Sequence, residues 1–449
     1  MTSPVSSAVS SPSHVAPSHV VVIGAGIVGT ATAYELALRG VSVTLVERRE
    51  GAGLETSRAN GGQLSACEVA PWAGPEVPGL ILKWFGRADA PFRLRPKPDP
   101  EQWLWLMRFL RRCRASARAE RVLPNLELAL LTRARLDAYR ENFAAEGRTL
   151  DMDHAQNGIL RVFRERHGLE EAREGIGRMT QAGVEQRELS PAECVELEPA
   201  LASSFQKDEI AGGIYCPSDG MGDAHLFSRE LAAAAERLGV RFRASEEVEA
   251  IEVHDGKTTG VRLADELVAA DAVVVAAGPM TARLLRPFGL RLPIYPVKGY
   301  SVTLPLEESE AAVPNVSITD ESRKVVVSRL GNRLRAAGQA EIGGYDLTLE
   351  MPRARSVFQA LTGLMPQMGA LEPRAEYWCG LRPMSPDGSP IIGELASRNR
   401  TIRGLYVNSG HGTLGWTMGA GSAASLAELI CGSAPQLDLT PFSHKRFSL

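Results

Sequence analysis

The chain contains 449 residues, of which 44% are hydrophobic and 23% are charged, and its formal net charge is −3. This length provides enough chain for two or three domains' worth of core, and the composition is that of an ordinary soluble globular protein. A charge so close to zero offers no general attraction to nucleic acid or to anionic lipid. The six cysteines form no C-x-x-C pair, which favours reduced thiols in the cytosol over a disulfide framework or a zinc site, and we expect no metal ion.

Residues 1–18 are rich in Ser and Pro. They lack a basic start and an apolar core, so they do not predict a secretory signal. We expect a disordered tail there. No apolar run in the sequence is long enough to span a membrane.

Residues 19–47 predict a strand, a glycine-rich loop, a helix and a second strand. Residues 20–23 are β-branched, as expected for a buried parallel strand. The next six residues read GAGIVG, which matches G-x-G-x-x-G. Helix-forming residues continue to Gly40, and an apolar strand then ends at Glu47.

Each part of this unit suits the binding of a dinucleotide. Gly24 permits a tight turn, Gly26 lets the backbone approach a pyrophosphate, and Gly29 lets the helix pack against the strand. The start of the helix offers free N–H groups and a partial positive charge to phosphates. Glu47 stands where a carboxylate accepts hydrogen bonds from ribose hydroxyls, which argues against a 2′-phosphate. The companion motifs of protein kinases, which share the glycine pattern, are absent.

The loop at residues 48–65 is polar, glycine-rich and too long for a simple turn. Long ordered loops of this kind are usually functional. Thr56, Ser57, Arg58 and Asn60 can donate hydrogen bonds to a phosphate or to the ring system of a dinucleotide.

Residues 71–100 are Pro-rich and are predicted to be irregular, and residues 101–122 predict a helix. Arginines are interspersed among its apolar residues. The residues expected to share its apolar face are Trp103, Leu106, Met107 and Leu110. Such a helix can lie on a membrane surface, but we favour a helix that faces the core and has a solvated charged side.

The rest of the chain alternates strands and helices. Residues 271–278 predict a second buried strand beside the first one, and residues 294–350 predict a strand-rich block. The chain then ends in a strand, a glycine-rich loop and a helix that reaches Ile430. Further helices are predicted at 124–147, 169–183, 224–239 and 351–369, and a further strand at 157–164.

Four stretches together resemble the D-amino acid oxidase-like FAD oxidoreductases, and in particular the bacterial D-amino acid dehydrogenases. They are VVIGAGIVGTATAYEL with VTLVER, LETSRANGGQLS followed by APWAGPEVP, GLRPMSPDGSPIIG, and NSGHGTLGWTMGAGS. The resemblance covers nearly the whole chain from His19 onward. It implies an α/β fold, α+β overall, in which a Rossmann-like FAD-binding domain of the glutathione-reductase type is interleaved with a strand-rich substrate domain. The expected FAD-binding segments are 19–75, 220–292 and 375–449, and the substrate-domain segments are 76–219 and 293–374.

The resemblance also implies FAD bound without a covalent link. Relatives that attach the flavin use a cysteine at a position corresponding to Gly380, and Cys379 beside it is expected to be a buried thiol. The residues expected at the pyrophosphate and ribose are Gly24, Ala25, Gly26, Ile27, Val28, Gly29 and Glu47. Those expected at the pyrophosphate and the isoalloxazine edge are Arg48, Ser57, Asn60, Gly61 and Gln63. Those expected at the adenine, over the dinucleotide and at the flavin pyrimidine are Val248, Gly278, Gly412, Thr413, Leu414 and Gly415.

Family members use the arginine of GLRP, here Arg382, to grip a substrate α-carboxylate, because a guanidinium binds a carboxylate through a two-pronged fork. The Cα–H would then point at flavin N5, hydride would leave as the imine forms, and water would release a 2-oxo acid and ammonia. This chemistry requires no side-chain base. His411 is expected either to line the site or to cap its loop. Tyr300 could supply a hydroxyl to the carboxylate, although tyrosines in strands commonly only pack.

The function implied is the oxidative deamination of small or apolar D-amino acids such as D-alanine. The electrons would pass to a quinone or another respiratory acceptor, and fast peroxide production would instead indicate an oxidase. The protein would be cytoplasmic, with peripheral contact to the inner face of the membrane as an open alternative. Dehydrogenation of secondary amines such as proline, hydroxyproline or sarcosine also stays open. A third hypothesis is a flavin subunit that only passes electrons, and the arginine of GLRP argues against it.

Overall fold

The computed structural model describes residues 16–84, 90–207, 209–307, 313–397 and 400–447. Its strands are β1 (His19–Ile23), β2 (Ser42–Glu47), β3 (Gln63–Leu64), β4 (Phe92–Leu94), β5 (Ile159–Phe163), β6 (Arg187–Leu189), β7 (Gly212–Cys216), β8 (Gly220–Met221), β9 (Arg241–Ala244), β10 (Ala250–His254), β11 (Lys257–Arg262), β12 (Leu267–Ala269), β13 (Ala272–Val275), β14 (Tyr295–Pro305), β15 (Ser317–Asp320), β16 (Val325–Leu330), β17 (Arg333–Ile342), β18 (Glu376–Met384), β19 (Ile391–Ser397) and β20 (Arg400–Ser409). Its α-helices are α1 (Ile27–Leu38), α2 (Val77–Trp84), α3 (Pro100–Arg112), α4 (Ala115–Ala145), α5 (Arg166–Gln181), α6 (Pro191–Leu197), α7 (Ala202–Gln206), α8 (Ala224–Arg237), α9 (Thr281–Leu285), α10 (Met351–Leu364) and α11 (Gly415–Ile430).

The first large sheet has the strand order β10–β11–β20–β13–β1–β2–β9, with β12 beside β11 and β19 beside β20. The pairings at its centre are parallel: β1 pairs in parallel with β2 and with β13, and β13 pairs in parallel with β20. The β-branched residues of β1 are fully buried, as parallel strands covered on both faces require. The prediction that residues 271–278 form a strand beside the first one is confirmed.

The second large sheet has the order β18–β14–β17–β16–β15–β5–β7–β6, with β4 beside β17. Most of its pairings are antiparallel, and α10 covers one face through a core that includes Phe358 and Leu361. The predicted strand-rich block therefore forms the centre of this sheet. The α/β class with a Rossmann-like sheet and a strand-rich second part is confirmed.

In two places, the sheet to which a segment belongs differs from the domain to which the sequence assigned it. The strand Glu376–Met384 pairs with β14 and belongs to the second sheet, although residues 375–449 were assigned to the FAD-binding domain. The helix α4 lies within segment 76–219 but packs against α1 and α11 in the core of the first sheet. The assignment of whole segments to domains otherwise stays a prediction.

The prediction for the region from residue 71 to residue 122 was wrong in two respects. A helix, α2, occupies part of the stretch expected to be irregular. Three of the four residues on the predicted apolar face of α3 point outward, since Trp103, Met107 and Leu110 are 47%, 43% and 40% exposed, whereas Leu106 is buried. The helix buries another face, on which the Trp105 indole N–H donates to the carbonyl of Met384 at 2.8 Å. Periodicity locates an apolar stripe but does not identify its partner, and here buried hydrogen bonds fix the orientation.

Most of the expected N-terminal tail, residues 1–15, lies outside the described residues. Ser18 is ordered, and its backbone N–H donates to the Asp271 carboxylate at 3.0 Å. Among the described residues, no helix has both the length and the hydropathy needed to cross a membrane.

Candidate active site

A cavity of about 1500 Å³ is bounded by residues of both large sheets. The predicted site residues on its wall are Gly24, Gly26, Ile27, Val28, Glu47, Arg48, Ser57, Asn60, Gly61, Gln63, Val248, Gly278, Tyr300, Arg382, His411, Gly412, Thr413, Leu414 and Gly415. Ala25 and Gly29 belong to the same turn as Gly24 but are not on that wall. Residues far apart in sequence thus converge on one space.

The glycine-rich turn after β1 can be built only with glycines at two positions. Gly24 has φ +98°, and a Cβ on it would lie 2.8 Å from the carbonyl oxygen of Ala276. A Cβ on Gly29 would lie 1.7 Å from the carbonyl oxygen of Gly24. These contacts bring the start of α1 against the sheet, where its free N–H groups face the cavity. One of them, on Ile27, donates to the Ser57 hydroxyl at 3.1 Å.

Glu47 ends β2 on the cavity wall and is 9% exposed. Its Oε2 accepts from the backbone N–H of Ala25 at 2.7 Å, and its Oε1 accepts from that of Arg49 at 2.9 Å. Burial raises the pKa of this carboxyl, while the two hydrogen bonds lower it. Each oxygen retains a free lone pair, so the carboxylate can still accept hydrogen bonds from the two hydroxyls of a ribose.

The loop after β2 folds onto the second sheet. The Arg48 Nε donates to Glu55 at 2.8 Å, so this arginine is already paired. The Gln63 amide donates to the hydroxyls of Ser317 and Thr319, both at 3.0 Å. These two side chains hold the loop in place, and their contact with a cofactor stays a prediction.

The N-terminus of α11 forms a second backbone cradle. Gly412 has φ +61°, and a Cβ on it would lie 2.7 Å from the Met384 sulfur. The N–H of Gly412 donates to the carbonyl of Pro383 at 2.9 Å, which ties the loop to β18. The helix begins at Gly415 and is buried along most of its length, so its positive end points at the cavity.

Arg382 contributes a half-buried guanidinium to the cavity wall. In the part of the chain that the structure describes, no carboxylate lies within ion-pair distance of it. Its Nη1 donates to the carbonyl of Gln339 at 2.6 Å, and its Nη2 donates to the carbonyl of Gly338 at 3.3 Å. Burial lowers the pKa of Arg382 to about 10, which still leaves the group cationic at neutral pH. A desolvated cation that lacks an anion is an unusual arrangement outside binding sites.

A β-bulge positions this arginine. The register between β14 and β17 shifts by one residue between Lys298 and Tyr300. The extra residue lets Gln339 adopt φ +62°, which turns its carbonyl toward the guanidinium. On the other side, a Cβ on Gly299 would lie 2.4 Å from the Arg382 Cζ. Bulges of this kind often re-aim groups beside active sites.

The structure argues against the role expected for Tyr300. Opposed residues of an antiparallel pair share one face, and Tyr300 is opposite Cys379 whereas Val297 is opposite Arg382. The Tyr300 side chain therefore lies on the other face of the sheet from the guanidinium. It packs in the core beneath α10, with the Lys298 Nζ 5.7 Å from its ring centroid. Sequence alone did not assign the two faces of this strand.

His411 is 3% exposed, and its Nε2 lies 3.0 Å from the hydroxyl of Ser422. Burial lowers the pKa of His411 to about 3, so the ring is neutral at physiological pH. It lines the cavity and also braces α11, so both expected alternatives are compatible with its position.

Cys379 is buried as predicted, and its Sγ donates to the carbonyl of Leu347 at 3.2 Å. Its neighbours Trp378 and Gly380 line the cavity, so the thiol lies on the opposite face of β18. This orientation is consistent with a flavin held without a covalent bond.

Sequence reasoning missed an aromatic group on the cavity wall. Its members are Trp72, Trp84, Phe92, Phe109 and Trp378. Trp378 could have been found, because it precedes Arg382 by four residues in a strand and so shares its face. Trp72, Trp84 and Phe92 come from a segment expected to be irregular and carry no periodic signal, and Phe109 lies in the predicted helix but outside its predicted apolar face.

The fold and the cavity define an oxidoreductase that holds a dinucleotide between two helix N-termini. The chain belongs to the DAO family, described as FAD dependent oxidoreductase, whose model matches residues 19–429. Its cofactor is therefore FAD. The glycine cradles and Glu47 fit that group.

Similar proteins span the whole chain. A D-amino acid dehydrogenase of Paramagnetospirillum magneticum is 45% identical over 430 residues, covering 96% of this chain and 99% of the relative. A D-amino acid dehydrogenase of Dechloromonas aromatica is 44% identical over 423 residues, covering 93% and 98%. Glycine oxidase from Geobacillus kaustophilus superposes with a TM-score of 0.74 at 24% identity, covering 96% of this chain and 98% of that one. At that identity the solved structure supports the fold alone.

Proposed function

We propose that the protein oxidises D-amino acids to 2-oxo acids and ammonia, with FAD as the first electron acceptor. The observation that supports this most directly is the guanidinium of Arg382, which faces the cavity without an acidic partner. A substrate carboxylate would form the ion pair that this guanidinium lacks. The relatives named D-amino acid dehydrogenase supply the substrate class.

Binding and orientation are the tasks of the chain's own residues. The guanidinium fork takes the carboxylate, and the carbonyls of Gly338 and Gln339 keep the fork from rotating. FAD, when bound, supplies a two-electron acceptor for the hydride that leaves Cα. The substrate amine must be neutral, and no side-chain base is needed. His411 is neutral and hydrogen-bonded, so it contributes polarity without charge.

The contacts with the cofactor form part of the same proposal. The turn from Gly24 to Gly29 and the start of α1 would hold the pyrophosphate, and Glu47 would hold the adenosine ribose. Val248 would meet the adenine. The N–H groups of Thr413 and Gly415 would face the flavin pyrimidine, since those of Gly412 and Leu414 already donate to backbone carbonyls. The positive end of α11 favours negative charge there.

An anaerobic visible spectrum tests the activity. D-amino acids are expected to bleach the flavin bands and L-isomers are not, while Arg382→Ala retains FAD and loses the bleaching. A flavin that stays oxidised with every D-amino acid but bleaches with sarcosine or cis-hydroxyproline would reassign the enzyme to secondary amines. Bleaching that persists unchanged in Arg382→Ala would contradict the role given to the arginine.

We further propose that the electrons pass to a membrane quinone and that α3 contacts the bilayer. Trp103, Met107 and Leu110 lie at helical spacing and are exposed, and Arg111 at the end of the helix is exposed beside them. An apolar face flanked by arginines suits an anionic membrane surface. The outward orientation thus favours the alternative that the sequence ranked second.

Cosedimentation with vesicles of neutral lipid, with and without anionic lipid, tests this contact. The double variant Trp103→Ala/Met107→Ala is expected to lose binding to the anionic vesicles. Leu123→Ala is the matched control, because that leucine is exposed on another helix. Equal binding by both variants, or no binding by the native protein, would refute the membrane contact.

A further inference from the structure

We propose that the space beside Arg382 is a subsite for large apolar, and above all aromatic, substrate side chains. This inference rests on the proposed function, and it names the substrate class that the site takes. Four features of the cavity wall support it.

The first feature is Trp378. Arg382, Gly380 and Trp378 alternate along β18 and share the face that lines the cavity. A Cβ on Gly380 would lie 2.0 Å from the Cη2 of the Trp378 ring. The indole therefore lies over Gly380, between its own position and that of the guanidinium. Any substrate clamped by Arg382 has this ring beside it.

The second feature is Trp72. The centroid of its ring lies 5.8 Å from the Arg382 Cζ, and the side chain is 39% exposed. A tryptophan at this distance contributes a cation–π contact in the free protein. Its exposed area is available to a ligand that enters next to the arginine. Two indoles thus flank the guanidinium.

The third feature is α2, a helix that is apolar but has no buried residue. Val77, Ile81 and Trp84 follow one another at helical spacing and line the cavity, whereas Leu82 on the outer side is 78% exposed. The inner row packs partly against Phe92 of β4. A helix with an incompletely covered apolar inner face provides surface that a ligand can bury.

The contacts of β4 connect this helix to the arginine. Phe92 is in register with Ala340 of β17, and Ala340 follows Gln339, whose carbonyl accepts from Arg382. The wall formed by α2 and β4 therefore meets the arginine within one residue of its hydrogen-bond acceptor. The group that would bind the carboxylate and the apolar surface are therefore adjacent on the cavity wall.

The fourth feature is the position of the acidic groups. Glu68 and Glu321 also line the cavity, and both lie beside Arg161 of β5. Five strand steps separate β5 from β18, which amounts to about 24 Å. Measured along the sheet, this separation is longer than an extended lysine or arginine side chain. The charged residues near α2, such as Lys83, are exposed. Glu76, which lines the cavity just before α2, is also exposed and is paired with Arg118 at 3.2 Å.

Stopped-flow reduction of the flavin by D-alanine, D-leucine, D-phenylalanine and D-tryptophan tests the subsite without any electron acceptor. The ratio of the reduction rate constant to the dissociation constant is expected to be about 10- to 100-fold higher for D-phenylalanine than for D-alanine, since buried apolar area sets the difference. An equal or higher ratio for D-alanine would overturn the proposal.

Adjacent residues of α2 provide a matched pair of variants. Ile81→Ala is expected to lower the ratio for D-phenylalanine at least fivefold and to leave D-alanine within twofold. Leu82→Ala, on the outer side, is expected to change neither. Flavin content and thermal unfolding show whether each variant folds, and Ile81→Val is the milder replacement if Ile81→Ala does not. Equal effects of the Ile81 and Leu82 variants would contradict the subsite.

A ligand that cannot react separates this inference from the proposed function. The carboxylate 3-phenylpropionate is expected to perturb the flavin spectrum at a concentration at least tenfold lower than propionate does, and Arg382→Ala is expected to abolish this. If no D-amino acid reduces the flavin but 3-phenylpropionate still binds more tightly, the activity is wrong and the subsite stands. If D-amino acids reduce the flavin but the two carboxylates bind equally, the activity stands and the subsite is refuted.

Discussion

The replacement Arg382→Met is expected to remove activity while it leaves stability nearly unchanged. The arginine loses solvation on folding, and its pKa of about 10 records a cost of roughly 3 kcal/mol for the charged form, or about 2 kcal/mol once its partial exposure is considered. Methionine fills a similar volume without a charge. It leaves the carbonyls of Gly338 and Gln339 without a donor, at about 1 kcal/mol each at the lower end for buried acceptors. The two effects of about 2 kcal/mol nearly cancel, so the net change in stability is close to zero.

The same replacement removes the partner of the substrate carboxylate. Losing one member of a buried, hydrogen-bonded charge pair costs about 3–5 kcal/mol, so kcat/KM for a D-amino acid is expected to fall by about 10²- to 10⁴-fold. Arg382→Lys keeps the charge but not the fork, and is expected to recover part of this loss.

Three measurements on one set of proteins check this reasoning. They are the FAD absorbance, the midpoint of thermal unfolding and the rate of flavin reduction by a D-amino acid. A variant that keeps FAD, unfolds at an equal or higher temperature and reacts slowly agrees with a binding arginine that is strained in the free protein. A variant with a clearly lower midpoint and near-native activity would refute it, because the arginine would then be a structural residue.

Three further predictions concern the elements around the site. Gly29→Ala is expected to abolish FAD binding, because its Cβ would collide with the Gly24 carbonyl. The control Gly40→Ala has φ +77° and open space around it, so it is expected to lower stability by about 1–2 kcal/mol and to retain FAD. FAD absorbance after gel filtration checks both variants. Gln339→Gly is expected to be about 1 kcal/mol more stable in urea than Gln339→Ala, because both lose the same side-chain contacts and only glycine relieves φ +62°. Burial keeps His411 neutral in the folded state, with a pKa of about 3, while the unfolded chain protonates it near pH 6.5. Its contribution to stability is therefore lost as pH falls from about 6.5 toward 3, and in thermal scans His411→Gln is expected to lose less stability over that range than the native protein. The first argument would be contradicted if Gly29→Ala kept its full FAD content, and the second if Gln339→Ala were as stable as Gln339→Gly. Parallel profiles of stability against pH for His411→Gln and the native protein would contradict the third.

The nucleotide-binding unit was predictable because its signals are local. The turn from Gly24 to Gly29, the helix that follows and the carboxylate of Glu47 lie within 30 residues, and each residue type there has a specific backbone or charge role. The buried strand at residues 271–278 was also recognisable from its composition. Its place beside β1 followed from the rule that parallel β-α-β units meet in one sheet.

The substrate side was less predictable because it depends on contacts between distant segments. The face of α3 that is buried is set by a hydrogen bond from Trp105 to β18, which sequence periodicity does not show. Tyr300 of VKGYS was expected to be able to supply a hydroxyl to the substrate carboxylate. Which side of the sheet it takes depends on the register between β14 and β18. The aromatic wall likewise required the position of α2.

The order of strands in the first sheet has a consequence for how the chain acquires its cofactor. The glycine-rich turn is synthesised near the start, but β13, β20 and α11, which complete the cavity, lie at residues 272–275, 400–409 and 415–430. Until β13 has been synthesised, β1 has only one of its two neighbours, and β20 and α11 follow only near the end of the chain. Contacts between such distant segments form slowly. A polypeptide that ends before α11 lacks the second helix N-terminus of the cavity, so we expect it not to retain the flavin. We therefore expect FAD to bind only after nearly the whole chain has been synthesised.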